Sequence, residues 1–231
     1  MPLDSLQLTG RSASHVVEIE QPRCTLHVEA VEPFLAMRRA AALAGIDLVP
    51  VSSFRDFARQ AVIWNAKYRG ERTLLGRDGH PLDFAGVERS ALVDTILWWS
   101  ALPGASRHHW GSDLDVIDAA AVPPDYRVQL VPQEFAPQGV FARLEDWLAR
   151  HMGEFGFFRP YTTDRGGVQP EPWHLSYAPI SVPALDALTL DVLRDALSHE
   201  PIDGLDEVHA RLDAIHERYV ARIDLPTPSA S

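Results

Sequence analysis

The sequence predicts an α+β protein. Helical and strand patterns both recur, but the strands are scattered between clusters of helices without a regular βαβ period, which argues against a doubly wound parallel sheet. With 231 residues, 46% of them hydrophobic, the chain is long enough to bury a sizeable core. No internal repeat appears.

In chain order, Val16 to Ile19 and Thr25 to Val28 are β-prone runs separated by EQPRC, and predict a hairpin or two strands. VEPFLAMRRAAALA, Val31 to Ala44, sets Phe34, Met37, Ala41 and Ala44 at helical spacing, with Gly45 suited to closing the helix. IDLVPVSS reads as a mostly apolar strand. Arg55 to Tyr68 returns to the helical period, carrying Phe57, Ala61 and Trp64 on one side. Glycine and charge from Gly70 to Gly86 predict a long surface loop or lid. Glu88 to Ser100 predicts a helix carrying Ala91, Ile96 and Trp98, stopped by Pro103-Gly104. DLDVID, Asp113 to Asp118, alternates as a strand does, and Ala120 to Gly139 is a proline-rich irregular connection. Phe141 to Phe155 is an amphipathic helix, and Gly156 to Pro179 a loop ending in a short strand. From Thr189 on, LTLDVLRDALSHE and LDEVHARLDAIHERYV predict two helices joined by PIDG, and the tail LPTPSAS is expected to fray. Residues 1–182 are expected to form one domain, with 183–231 a C-terminal helical extension packed on it.

Composition excludes several classes. A formal net charge of -11 leaves no basic face for phosphates, so nucleic acid is not an expected partner. No run approaches the roughly 18 apolar residues a membrane span requires, so no membrane insertion is expected. Cys24 is the single cysteine, which rules out an internal disulfide framework. The N-terminal stretch lacks the basic and long apolar regions of a secretory signal, which gives a cytoplasmic expectation, or a periplasmic one if a leader has been removed.

The chemistry concentrates in two segments. SRHHWGSDLDV, Ser106 to Val116, fits either a metal site or a polar turn leading into a strand. Zinc takes imidazole nitrogen and carboxylate oxygen; His108 and Asp115 are candidates, with Gly111 allowing the chain to turn sharply between them. Asp113 and Asp115 share one strand face, and Leu114 and Val116 the other. EPWHLSY, Glu171 to Tyr177, adds His174 as a third candidate and a glutamate three residues before it, able to move protons without binding the ion. Pro172 predicts an extended, strand-borne Glu171 and excludes the helical HExxH arrangement.

Together these segments resemble the VanY-like D-alanyl-D-alanine carboxypeptidases. SRHHWGSDLD fits SxHxxGxxxD and EPWH fits ExWH, while SSFRDFARQ resembles the family's Ser-x-Tyr-Arg segment with a glutamine five residues after the arginine. The resemblance spans about Val31 to Tyr177. It implies a small, mainly antiparallel sheet bearing one zinc ion bound by His108, Asp115 and His174, with Glu171 as general base. It further implies that Arg55 holds the terminal carboxylate of a peptidoglycan stem peptide or muropeptide, assisted by Gln60 and Ser53. Ser106 and Trp173 complete the expected substrate contacts, although a turn-capping Ser106 is equally consistent with the sequence and a Trp173 packed under the site is the reading the sequence favours. The implied reaction is removal of a terminal D-alanine. Cleavage at D,D or L,D bonds, internal cleavage by an endopeptidase of the same fold, and non-catalytic muropeptide binding all stay open.

The chain departs from the pattern where members commonly have a small residue and it has Asp113, which is either a partner of a ligand histidine or a change of metal or substrate preference. Phe54 replaces the usual tyrosine, Asp56 follows the arginine, and the helices after Ser181 lie beyond the minimal family domain. His109 and Trp110 are candidates to line the cleft. His15, His27, His80, His151, His199, His209 and His216 lack paired ligand spacing and read as ordinary surface or core residues.

Overall fold

The computed structural model describes residues 2–226; the expected fraying of the tail falls largely on residues 227–231, outside those described. Its strands are Val16–Glu20 (β1), Arg23–His27 (β2), Leu48–Ser52 (β3), Leu74–Leu75 (β4), Pro81–Leu82 (β5), Asp113–Asp118 (β6), Phe157–Phe158 (β7) and His174–Tyr177 (β8). β1 and β2 form the predicted hairpin. The principal sheet is antiparallel, in the order β3-β6-β8-β7. Its register sets Asp115 opposite His174 and Asp113 opposite Ser176. The two segments that carry the chemistry are thus adjacent central strands.

The helices are Ser5–Leu8 (α1), Val31–Leu43 (α2), Phe57–Tyr68 (α3), Leu92–Leu97 (α4), Pro132–Phe135 (α5), Ala142–His151 (α6), Ala178–Ala187 (α7), Leu190–His199 (α8), Leu205–Ala210 (α9) and Leu212–Ile215 (α10). Two apolar clusters organise them. In one, Leu114, Val116 and Leu175 of the sheet pack with Phe34, Met37 and Ala41 of α2 and with Leu144 and Leu148 of α6. In the other, Phe57 and Trp64 of α3 and Ile96 of α4 pack with Leu193, Leu197, Val208, Leu212 and Ile215. The C-terminal helices therefore share a core with the helices that precede the site. Full burial of each of the Leu, Ile, Val, Met and Phe side chains contributes about 1.5–3 kcal/mol.

Several boundaries differ from the sequence reading. α3 begins at Phe57 instead of Arg55, because the Asp56 carboxylate accepts from the Arg59 N–H at 2.7 Å and caps the helix. Arg55 is thereby left on the approach to the helix. The predicted helix from Glu88 to Ser100 is a 3-10 turn, Arg89–Ala91, followed by the short α4. Beyond Leu97 the chain unwinds, and the carbonyls of Trp98 and Ala101 accept from the Gln169 N–H and the Gln60 side chain. The last predicted helix breaks at Arg211 and ends in a π-turn, His216–Ala221, bringing Arg211 and Tyr219 to Asp94. α1, β7 and α7 were not anticipated. Prolines at 179 and 183 disguise α7, although the first stands in the opening turn, where a missing N–H costs nothing. The Gly70 to Gly86 segment contains the β4–β5 ribbon, anchored by the buried Leu74.

Candidate active site

The site is assembled at the edge where β6 and β8 meet the turn preceding β6. That turn is a 3-10 helix, Arg107–Trp110, closed by Gly111 at φ 66°. A Cβ on Gly111 would lie 2.5 Å from Val16 and 2.6 Å from the His27 nitrogen, so only glycine fits. The turn directs His108 toward β6. His108, Asp115 and His174 offer ligand atoms that lie within 4.8 Å of one another, and all three residues are buried.

Each histidine is oriented by its outer nitrogen. His108 Nδ1 donates to the Ser53 carbonyl at 3.0 Å, leaving Nε2 3.3 Å from the Asp115 carboxylate. His174 Nε2 donates to Asp113 at 2.9 Å, leaving Nδ1 3.3 Å from both Asp115 and Glu171. Asp113 is thus the hydrogen-bond partner of His174, the arrangement that fixes tautomer and ring direction where a histidine binds a metal. Asp113 also accepts from Arg107 Nε at 2.8 Å and from the Ser112 hydroxyl at 2.6 Å. The Arg107 guanidinium lies over Trp110 and donates to Ser176 Oγ.

These contacts shift the ionisation of the buried groups. Burial opposes ionisation of Asp113, but Arg107 and His174 outweigh it and hold the carboxyl down at about 2. Asp115 is likewise held well below the usual carboxylate range by His108 and His174 against its own burial. Burial raises Glu171, as suits a proton acceptor. Burial disfavours charge on His174, yet its bonds to Asp113, Asp115 and Glu171 raise it well above the ordinary value. Asp115 Oδ1 is buried and accepts no hydrogen bond of good geometry, its nearest polar neighbour being His174 Nδ1 at 3.3 Å. Two inward ring nitrogens, an anionic aspartate and that unpartnered oxygen fit a divalent cation, and zinc in particular.

The cluster opens into a cavity of about 360 Å³ lined by Arg55, Lys67, Arg72, Trp99, Ser106, Tyr161, Glu171 and Trp173, among others. Arg55 Nη1 donates to Gln60 Oε1 at 2.7 Å and Nη2 to Ser52 Oγ at 2.8 Å, so the guanidinium is fixed within the cavity wall. Gln60 is fully buried, also donates to the Ala101 carbonyl at 2.6 Å, and acts on Arg55 without lining the cavity. Ser106 lines the cavity, and its side chain does not cap the turn it begins.

Three expectations need correction. The Ser53 hydroxyl accepts from the Thr25 N–H at 3.1 Å and is directed away from the cavity; the contribution of Ser53 is the carbonyl that holds His108. Glu171 is in a turn closed by the His174 N–H donating to its carbonyl at 3.1 Å, with Pro172 inside it, so it is not strand-borne; proline suits the second position of such a turn. Trp173 takes the packed position that the sequence favours, its ring stacked on Trp99 and tilted against Phe135, and it also lines the cavity. His109 and Trp110 do not line the cleft: both are fully buried, and His109 Nδ1 donates to the Arg55 carbonyl at 2.6 Å. Burial pushes His109 down to about 3, so it holds the Arg55 backbone as a neutral ring.

Sequence reasoning missed Lys67, Arg72, Arg107 and Tyr161. Lys67 was findable, because Gln60, Ile63 and Lys67 share one face of α3 at helical spacing. Tyr161, whose ring edge meets His174 at 5.3 Å, lies in an irregular loop and left no local signal.

The donor set is that of a metal-dependent hydrolase. The chain belongs to the VanY family, D-alanyl-D-alanine carboxypeptidase, whose family model matches residues 23–180. Two uncharacterized proteins of Haemophilus influenzae are similar in sequence. One is 33% identical over 121 residues, covering 52% of this chain and 92% of the relative; the other is 40% identical over 105 residues, covering 44% and 72%. Among solved structures, VanYB in complex with D-alanine-D-alanine shares the fold at a TM-score of 0.53 and 19% identity, over 80% of this chain and 88% of that one. The LdcB LD-carboxypeptidase shares it at a TM-score of 0.50 and 22% identity, over 79% and 78%. A zinc(II) complex of the D,D-pentapeptidase VanY also has a TM-score of 0.50, at 18% identity, over 85% and 91%.

Proposed function

We propose that this protein is a zinc carboxypeptidase that removes a terminal D-alanine from peptidoglycan-derived peptides. The observation that carries the reading is the convergence of His108 Nε2, His174 Nδ1 and Asp115, with Glu171 3.3 Å from His174, in the same cavity as Arg55. Family membership and the D-alanine-D-alanine complex of a structural neighbour support the substrate class.

His108, Asp115 and His174 would hold the zinc, which when bound would supply Lewis acidity and make water a usable nucleophile near neutral pH. Arg55 pairs with the terminal carboxylate of the peptide, and its fixed fork sets which peptide bond faces Glu171. Glu171 takes a proton from the attacking water and returns it to the amine of the departing D-alanine. Asp113 and the Ser53 carbonyl keep the two ligand rings in their working tautomers. Trp99, Trp173 and Tyr161 supply the aromatic part of the cavity wall.

The test is mass spectrometry of muropeptide tetrapeptide and pentapeptide after incubation with zinc-loaded protein. Loss of one alanine is expected, and the peptide that loses it decides L,D against D,D cleavage. Glu171→Ala is expected to retain zinc and lose turnover by about 10²–10⁴-fold. Near-native turnover by that variant, or no alanine lost from either peptide, would overturn the reading.

A further inference from the structure

The cavity carries more positive charge than one terminal carboxylate offsets. Arg55, Lys67, Arg72 and Arg107 line it together with two carboxylates, Asp115 and Glu171. Arg107 is neutralised by Asp113, and a divalent cation on the ligand cluster would balance Asp115 and Glu171. The charges of Arg55, Lys67 and Arg72 remain. Arg55 is bound to neutral partners only, and Lys67 Nζ has the Ser100 hydroxyl at 2.6 Å. Among the described residues, no carboxylate forms an ion pair with Lys67 or Arg72.

Lys67 is half-buried in a wall that includes Ile63, Leu75, Trp99 and Val168. Burial pushes its ammonium down to about 8, with Glu171 countering and Arg72 and Arg55 adding to the shift. A lysine in such surroundings, with a hydroxyl as its single hydrogen-bond partner, is costly unless an anion arrives.

We propose that Lys67 and Arg72 form a second anion subsite, which reads a carboxylate on the peptide upstream of the scissile bond. The inference rests on the carboxypeptidase reading above and names its substrate class: peptides with a second free carboxylate near the end that is trimmed. Spacing supports it. Gln60, which holds Arg55, and Lys67 are seven residues apart on one face of α3, which at 1.5 Å per residue is about 10 Å. An extended peptide advances about 3.3–3.6 Å per residue, so that separation corresponds to about three residues, or fewer with a side chain bearing the acid. In stem peptides two groups qualify, the side-chain carboxylate of diaminopimelate and the α-carboxylate of γ-linked D-glutamate.

The experiment compares three versions of L-Ala-γ-D-Glu-diaminopimelate-D-Ala-D-Ala and of its tetrapeptide: both carboxylates free, the diaminopimelate side-chain carboxylate amidated, or the glutamate α-carboxylate amidated. With zinc-loaded protein, one of the amidations is expected to lower kcat/KM about tenfold or more, mainly through KM, and which one identifies the carboxylate. Lys67→Gln and Arg72→Gln are each expected to shrink that preference toward unity, and Lys67→Arg to retain it. Arg72 is exposed, so its variant tests the subsite even if Lys67→Gln folds poorly. Cleavage of all three versions within twofold of one another, or a preference that survives both glutamine variants, would overturn the subsite while leaving the carboxypeptidase standing. Cleavage of none would remove the carboxypeptidase reading and this inference with it.

Discussion

Replacing Asp113 by asparagine separates the structural from the metal-binding contribution of the most heavily engaged carboxylate in the site. Asp113 is fully buried and accepts from Arg107 at 2.8 Å, His174 at 2.9 Å and Ser112 at 2.6 Å. An amide keeps the shape but removes the charge and one acceptor. Arg107, whose Nη1 already lacks a partner, then becomes an uncompensated buried cation. Breaking a buried pair in this way costs about 3–5 kcal/mol, which for a chain of this size lowers Tm by about 6–20 °C. Independently, loss of the anionic acceptor behind His174 is expected to weaken zinc binding about 10- to 100-fold, or about 1.4–2.7 kcal/mol. Thermal melts measure the first effect, and competition with a chromophoric chelator the second. Adding Arg107→Met to Asp113→Asn is expected to recover part of the stability and none of the zinc affinity. Unchanged zinc affinity in Asp113→Asn, or recovery of affinity in the double variant, would refute the assignment of Asp113 as the group that orients His174.

Arg55→Lys keeps the charge but loses the fork; with two charge-assisted bonds at about 1.5 kcal/mol or more each, kcat/KM for D-alanine release is expected to fall by about 10²-fold with zinc content unchanged, and steady-state kinetics beside metal analysis check it. Lys67→Met is expected to stabilise the fold at pH 7. The folded value of about 8 lies below the unfolded 10.5, so the burial cost is fully present below pH 8 and disappears as pH rises toward 10.5. At about 1.36 kcal/mol per pH unit the ceiling is about 3 kcal/mol, and denaturant midpoints at pH 7 and 10.5 should show a gain only at the lower pH. Asp94→Ala removes the carboxylate that accepts from Tyr219 at 2.6 Å and pairs with Arg211, and is expected to cost about 1–3 kcal/mol, seen as faster amide exchange in the C-terminal helices. Tyr219 and Arg211 outweigh burial and lower the Asp94 pKa, so this stability is present above about 3.8 and lost as pH falls; the difference from Asp94→Ala should narrow in acid.

What was legible in the sequence was what short-range chemistry imposes. Helix α2 could be read to within a residue because Phe34, Met37 and Ala41 mark its buried face and Gly45 takes a positive φ where it ends. The cluster of His108, Asp115 and His174 was legible because a turn glycine and strand alternation, both local features, orient His108 and Asp115. Glu171 was found, but its backbone was misjudged, since Pro172 restricts the preceding residue to extended angles without deciding between a strand and a turn. Ser53 failed for a different reason: its environment is set by a partner far away in sequence, Thr25. The same holds for the break at Arg211, which local helix propensity opposes and the ion pair with Asp94 imposes.

The strand DLDVID nevertheless contained more than was extracted from it. All six residues of β6 are buried, and a strand covered on both faces is ordinarily a near-continuous apolar run. Three aspartates in such a strand require three separate compensations. Asp118 accepts from the backbone N–H groups of Asp47 and Ala120, and Asp113 is met by Arg107, Ser112 and His174. Asp115 is the exception, with histidines at 3.3 Å and an oxygen that receives no hydrogen bond. A fold that gives two of three buried carboxylates hydrogen bonds from backbone or side-chain donors, and sets the third between two inward ring nitrogens at 3.3 Å with an oxygen that accepts no hydrogen bond of good geometry, presents the arrangement a divalent cation would fit.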